Sequence, residues 1–323
     1  MKYDSLFLSD DKYFEQMSQL VVPFTKQFEK DGYFNSFDNS RIYYRTYIKE
    51  DAKATIVIVH GFTENSEKYR EMVYYYLKCD FNVYIFDLRS HGYSQRFVDK
   101  NYMVYIRSFD DFVKDLDFFV KNIVSLTNRK PLYLYAHSMG GAVGLSYLEQ
   151  YNDVFDKAVI STPMVKPNTI FPNFVMLSVV GFMKFIGLGK KPVPFTYVGF
   201  PERERFDLVS NGSFVRYSYY YDVCSKDEHL QTFTPSASWM QQCIKGTSIL
   251  RKDENIVKIK TPILMFEVAN DKKVLSKDTV KFSAKLDNCR LISVKDDKIR
   301  HELYTAYEKV LIEYFTNVLD YFN

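Results

Sequence analysis

The succession of apolar runs predicts an α/β fold: a mostly parallel, doubly wound sheet covered by helices and carrying one helical cap insertion. Three observations carry that prediction. Five short runs, at residues 55–59, 82–86, 132–135, 158–160 and 262–268, are mainly apolar and end in turns. Unbroken apolarity over so few residues marks strands buried on both faces, as parallel sheets require. Between them lie helical patterns; Phe109, Phe112, Val113, Leu116, Phe119, Val120, Ile123 and Val124 fall on one face of a long helix. Finally, the alternation fails once, from about 164 to 252, and then resumes, so one core is interrupted by an insertion.

Taken in order, residues 13–22 read as a short helix ended by Pro23, and 24–34 with 42–48 as an antiparallel entry hairpin around Asp38-Asn39-Ser40. The strand at 55–59 releases the chain into His60-Gly61. A helix follows near 69–78, and the strand at 82–86 ends in the polar loop Asp87-Leu88-Arg89-Ser90-His91-Gly92-Tyr93-Ser94. The strand at 132–135, a helix from Met139 to about Tyr151 and the strand at 158–160 continue the parallel order. After Ser161-Thr162-Pro163, prolines and glycines interrupt apolar stretches. Residues 174–188 are apolar on too many faces for a solvated helix, so they are expected to cover something, either by packing on the core or, the reading favoured, as a lid over an apolar pocket. Beyond 262–268 come a helix near 279–286, a strand at 290–294 and a final helix over 302–322. The expected organisation is a core of 1–163 and 256–323 with a cap at 164–255.

Composition bounds the function. The 323 residues are 46% hydrophobic and include 27 Tyr and 28 Phe, which excludes disorder and supplies aromatic surface for packing or for a substrate. The formal charge of +3 arises without a dense basic block, so nucleic acid is not an expected partner, whereas contact with a membrane surface stays open. Cys79, Cys224, Cys243 and Cys289 show neither metal-ligand spacing nor a disulfide framework. Free thiols in a reducing compartment, and no metal, are therefore expected. The first eleven residues lack an apolar core of signal-peptide length, and no run reaches membrane-spanning length without a break. These features lead to the expectation of a soluble, cytoplasmic protein able to visit membranes peripherally.

The chemistry centres on Ala136-His137-Ser138-Met139-Gly140, between the apolar run 132–135 and the small-residue segment Gly141-Ala142-Val143-Gly144. This is the strand-turn-helix context of a G-x-S-x-G nucleophile turn with alanine in the first place. A serine that merely caps a helix would fit the same residues. A serine hydroxyl is a weak nucleophile at neutral pH and needs a base within hydrogen-bond reach, itself oriented by a carboxylate. Of the five histidines, His60 and His91 follow earlier strands, His137 adjoins the serine and is expected to point away, and His229 lies in the insertion. His301 remains, in the loop after the last strand. Asp271, three residues beyond Val268, is the candidate acid, with Asp296 and Asp297 as second choices. Met139 N–H, at a helix start, and Phe62 N–H, in the His60-Gly61-Phe62 turn, are the candidate oxyanion donors.

Assembled, these pieces resemble the α/β-hydrolase family of bacterial lysophospholipases and monoacylglycerol lipases. The resemblance rests on His60-Gly61-Phe62-Thr63-Glu64-Asn65-Ser66 with Tyr69, on 87–94, on 136–141, on Asn270-Asp271-Lys272-Lys273-Val274 and on His301-Glu302-Leu303; Pro235-Ser236-Ala237-Ser238-Trp239 adds a weaker match. It implies hydrolysis of the carboxylic ester of a lipid bearing one acyl chain, without metal or organic cofactor. Ser138 would be the nucleophile, His301 the base and then the acid, Asp271 its orienting partner, and Phe62 with Met139 the oxyanion donors. Ala136 and Ser90 stand where the family pattern has glycine, while Asp87, Arg89 and His91 are expected to form a polar scaffold behind the site. A small-ester carboxylesterase or a peptidase of the same fold is the alternative, and a non-catalytic binding protein the reading from a different class.

Overall fold

The structure is a computed structural model that describes residues 3, 5–128, 130–203 and 212–323. Among them, eight strands form the central sheet: β1 (Glu29–Asn35), β2 (Arg41–Tyr47), β3 (Ala54–Val59), β4 (Phe81–Phe86), β6 (Leu132–His137), β7 (Lys157–Ser161), β9 (Ile263–Val268) and β10 (Cys289–Val294). The two-residue strands β5 (Met103–Val104) and β8 (Thr234–Pro235) pair separately, tying a core loop to the insertion. The sheet order is β1-β2-β4-β3-β6-β7-β9-β10. β1 pairs antiparallel with β2 and β2 with β4, while every pairing from β4 through β10 is parallel. From β3 the chain crosses first to β4 on one side and then to β6 on the other. The carboxyl ends of β3 and β6 therefore flank the reversal of strand order, where open α/β sheets bind ligands.

Within β3, Val57 and Val59 face one core with Phe112, Phe119 and Leu134, whereas Ile56 and Ile58 face a second with Tyr135, Tyr314 and Phe315. Side chains alternate across a strand, so a sequence that is apolar at every position is one that packs helices on both sides. The helix Ser138–Gln150 belongs to the first layer and the terminal helix Glu308–Phe322 to the second.

Most elements lie where the sequence places them, with instructive departures. Pro23 does not end the first helix: the chain stays helical through a π turn at Met17–Val21 and on into Val22–Lys26, the π turn lying where proline's ring and missing N–H interrupt the regular ladder. The hairpin strand accordingly begins at Glu29, later than expected. The long helix from Phe109 likewise passes through a π turn at Val120–Val124. The final helix starts at Glu308, not at Glu302. Residues 303–305 form a short 3-10 turn, because the side chains of Glu302 and Tyr304 are drawn inward to Lys68 and Glu64. Residues 164–255 contribute no strand to the central sheet among the described residues; 204–211 of the expected cap lie outside them. The helix Asn173–Phe185 buries Met176 and Val180 against Ala237–Leu250 and leaves Phe174, Phe182 and Phe185 exposed.

Glu149, near the end of the Ser138–Gln150 helix, is buried with one carboxylate oxygen unpartnered, and burial pushes its carboxyl up to about 8 against a weaker pull from Lys258. Its folded pKa thus exceeds the unfolded value, the native state holds the extra proton, and stability declines as pH rises from about 4.5 to 8. Glu149→Gln should be close to neutral at pH 4.5 and stabilising by pH 8. Urea midpoints at the two pH values test this, and equal effects at both would contradict it.

Candidate active site

Ser138 opens its helix with φ = +54°, a left-handed conformation that side-chain-bearing residues seldom adopt. The tight turn is possible because the neighbouring surfaces lack side chains. A Cβ on Gly140 would stand 2.3 Å from the carbonyl oxygens of both Val59 and His60, and one on Gly141 would stand 2.9 Å from Pro163 Cβ. Met164 N–H donates to the Ser138 carbonyl at 2.8 Å and holds the turn from the far side. Ser138 Oγ is thereby raised above the carboxyl ends of β3 and β6.

His301 meets it there. Its Nε2 lies 2.7 Å from Ser138 Oγ and its Nδ1 lies 2.7 Å from Asp271 Oδ2. A carboxylate can only accept, so Nδ1 carries the proton and Nε2 is free to accept from the serine hydroxyl. Asp271 is itself fixed: its Oδ1 accepts from the N–H groups of Lys273 and Val274 at 2.7 and 3.0 Å. The second-choice acids are engaged elsewhere, Asp296 with Tyr307 O–H at 2.5 Å and Asp297 with the Asn270 amide at 2.8 Å.

The turn after β3 approaches the serine closely; a Cβ on Gly61 would stand 3.0 Å from Ser138 Cβ. His60 anchors this turn by donating from Nδ1 to the Gly61 carbonyl at 2.8 Å and accepting the Leu88 N–H on Nε2 at 2.9 Å. Met139, second in its helix, carries an N–H without an intrahelical acceptor. Trp239 bridges the two candidate donors: its ring stacks on Phe62 at 4.2 Å and its indole N–H points at Met139 Sδ, 3.3 Å away. Behind the turn, Asp87 accepts from the N–H groups of Ser66 and Tyr93, and Arg89 is paired with Asp115 and Asp38, the polar scaffold expected.

His137 differs from expectation. It does not point away; its ring lies 4.9 Å from that of His301, because the end of β6 faces the layer from which the His301 loop descends. Burial, opposed by the charge of Glu64, lowers its pKa to about 4, so the imidazole is neutral near neutral pH. Sequence reasoning also missed a buried charge cluster. Lys68 donates to Glu64 at 3.3 Å and to Glu302 at 2.8 Å, and Tyr69 and Tyr304 donate to Glu64 at 2.7 and 2.5 Å. Burial alone would raise the Glu64 carboxyl, yet Lys68, His137 and the two phenols together hold it below the usual carboxylate range. Glu64, His137 and Glu302 lie close enough to ligate a metal, but the Lys68 ammonium already bridges the two carboxylates. The signal was present in the sequence, since Glu64 follows the His60-Gly61-Phe62 turn and Glu302 adjoins His301, but nothing in periodicity brings them together.

A cavity of about 250 Å³ opens over Ser138 and His301. Its apolar walls include Phe200, Tyr217, Leu230, Phe233, Trp239 and Val274. The expected lid at 174–188 contributes nothing to this lining: its helix packs on Ala237–Leu250 instead, and the walls come from segments on either side of 204–211.

A family model described as Hydrolase_4, serine aminopeptidase S33, matches residues 50–308. The chain is 26% identical over 318 residues to the probable lysophospholipase L2 of Haemophilus influenzae, covering 95% of this chain and 98% of that one. It is 30% identical over 118 residues to the human monoglyceride lipase, 36% of this chain and 37% of that one. A soluble variant of monoglyceride lipase from Saccharomyces cerevisiae, solved with a substrate analogue, matches with a TM-score of 0.70 at 17% identity, over 91% of this chain and 95% of that chain. The architecture is the α/β-hydrolase fold.

The contacts of Gly140 give a test of the turn. Gly140→Ala forces a methyl group against two backbone carbonyls and should cost about 3 kcal/mol or prevent folding, since the strand ends cannot retreat. Gly181→Ala, whose Cβ would meet only Gln241 Nε2 at 3.4 Å, serves as the tolerated control. Similar melting temperatures for the two variants would contradict the account.

Proposed function

The chain belongs to the serine aminopeptidase S33 family of hydrolases, and from that premise we propose that it is a serine ester hydrolase acting on lipids with one acyl chain. The observation that carries the reading is the Ser138–His301–Asp271 relay, with both contacts at 2.7 Å, beneath an apolar-walled cavity. The names of the relatives, lysophospholipase and monoglyceride lipase, support the same substrate class, a lysophospholipid or monoacylglycerol.

In this mechanism Ser138 Oγ attacks the ester carbonyl as its proton passes to His301 Nε2, and Asp271 stabilises the imidazolium that forms. The N–H groups of Phe62 and Met139 receive the negative charge developing on the carbonyl oxygen. Collapse of the tetrahedral intermediate expels the alcohol, which takes the proton from His301 and leaves the acyl chain on Ser138. Water, deprotonated by the same imidazole, then releases the fatty acid. No cofactor has a step in this sequence.

Residues 164–255 act as the cap in this reading, supplying Phe200, Tyr217, Leu230 and Trp239 to the acyl-binding wall. The exposed Phe174, Phe182, Phe185 and Phe195, with Lys184 and Lys190 nearby in the chain, support transient contact with a lipid surface. Among the described residues no helix is long and apolar enough to cross a membrane. None of the four cysteines is joined in a disulfide, which supports a reducing, cytoplasmic setting.

Ser138→Ala should lower turnover by roughly 10⁴-fold or more and abolish labelling by a fluorophosphonate, with the melting temperature retained. Asp271→Asn should lower kcat by roughly 10³–10⁴-fold by favouring the wrong tautomer of His301. Unlabelled wild-type protein would end the serine-hydrolase reading, and a fully active Asp271→Asn would reassign the acid. An ester panel separates the alternatives: each buried methylene adds about 0.8 kcal/mol, so monoacyl lipids should exceed acetate and butyrate esters in kcat/KM by well over about 10-fold. A preference for short esters or for peptide amides would favour the carboxylesterase or peptidase reading. On vesicles, Phe182→Asp with Phe185→Asp should remove any interfacial gain without affecting soluble esters.

A further inference from the structure

Building on the proposed reaction, we propose that Glu64 is a positioning residue that locks the oxyanion turn and the base-bearing loop into one unit. The two elements leave distant parts of the sheet. The turn follows β3 and the His301 loop follows β10, with β6, β7 and β9 between them. No ladder hydrogen bond therefore fixes one relative to the other. Ester hydrolysis needs both in register at once, because the base and the oxyanion donors act on the same reacting group within tenths of an ångström.

Glu64 supplies the tie through a single carboxylate that is 2% exposed. Its Oε2 accepts the Gly61 N–H at 2.5 Å, within the turn itself, and the Tyr69 O–H at 2.7 Å. Its Oε1 accepts the Tyr304 O–H at 2.5 Å, three residues beyond His301, and Lys68 Nζ at 3.3 Å. Lys68 then reaches Glu302, the residue next to His301, at 2.8 Å. Its ammonium also lies over the rings of Tyr217, Tyr220 and Tyr304 at 5.6, 5.1 and 5.7 Å, which fixes the bridging cation in place. Both oxygens thus accept donors from the two elements and from the short 3-10 helix Ser66–Tyr69 that follows the turn. Only a carboxylate offers two acceptors and no donor at this point. An amide of the same shape would set its N–H₂ either against the Gly61 N–H, which can only donate, or against the Lys68 ammonium, with the Tyr304 bond reversed in direction, and one side of the tie would weaken.

Glu64 also borders the cavity, so a role in gripping substrate must be separated from a role in positioning. Full-length wild type, Glu64→Gln, Tyr304→Phe and the double variant are compared on a short, soluble ester and in rate of labelling by a fluorophosphonate. Glu64→Gln is expected to lower kcat by about 100-fold with KM within about 2-fold, and to slow labelling in proportion, because phosphonylation uses the same base and oxyanion donors. Tyr304→Phe should lower kcat by about 10-fold, and the double variant should be no slower than Glu64→Gln, since both changes remove the same link. A change in KM alone with labelling intact would assign Glu64 to substrate binding and overturn the proposal. Effects that multiply independently, or a kcat for Glu64→Gln within about 3-fold of wild type, would overturn it also. Should Glu64→Gln fail to fold, Tyr304→Phe decides, because it loses one hydroxyl and no charge; a kcat within about 2-fold of wild type then overturns the tie. A wild type inert toward both ester and probe would overturn the proposed reaction itself, whereas an active wild type with unaffected variants overturns only the positioning role.

Discussion

The left-handed backbone at Ser138 is the constraint on which the rest of the site depends. For a residue with a Cβ that conformation costs about 1–2 kcal/mol, so it persists only where the surroundings fix it from several sides. β6 is bound into the middle of the sheet by β3 and β7, and its last pairing, His137 with Ser161, comes one residue before the serine. The helix must then start immediately, and it clears the β3 carbonyls only because Gly140 has no side chain. Strain at one residue is balanced by packing along the sheet edge, and the serine oxygen is held where His301 can reach it.

Electrostatics distinguishes His301 from the other histidines at the centre of the molecule. His60, His91 and His137 are all fully buried, and burial lowers the pKa of each, so their rings serve as neutral hydrogen-bonding or packing elements. His301 has a carboxylate on one nitrogen and a hydroxyl on the other. His229 shares a carboxylate with it in kind, Asp227 at 3.0 Å, but is exposed within the insertion. Among the described residues, His301 alone of the histidines has a carboxylate on one ring nitrogen and a serine hydroxyl on the other.

Local signals made the strands, the serine turn and the places of Asp271 and His301 just beyond strand ends legible in the sequence. Each sits on a short run or just past it, where periodicity and turn residues speak directly. The misreadings concern interactions across long chain separations. Glu64 and Tyr304 are 240 residues apart, and their bond helps keep the chain after His301 from entering a helix where the apolar spacing would allow one. The helix at 173–185 shows the opposite failure. Its apolarity is real, but composition cannot say which faces are covered, and most of its large side chains meet neither the core nor the cavity.

The two departures from the family pattern have separate physical explanations. Ala136 is tolerated because the space for its methyl group is conceded by Gly144: a Cβ there would lie 3.0 Å from Ala136 Cβ and 3.1 Å from a Leu134 methyl. The small residue required at this strand-helix contact can stand on either partner, so alanine in the strand with glycine in the helix keeps the separation that two larger residues would destroy. Ser90 is different, because the loop there needs φ = +65°, the reason glycine suits the position. Its hydroxyl donates to the Tyr105 carbonyl at 2.8 Å, a bond that glycine could not make and that offsets the backbone penalty. Ala136 acts on how closely helix and strand pack, and Ser90 on how its loop is held behind the His60-Gly61-Phe62 turn.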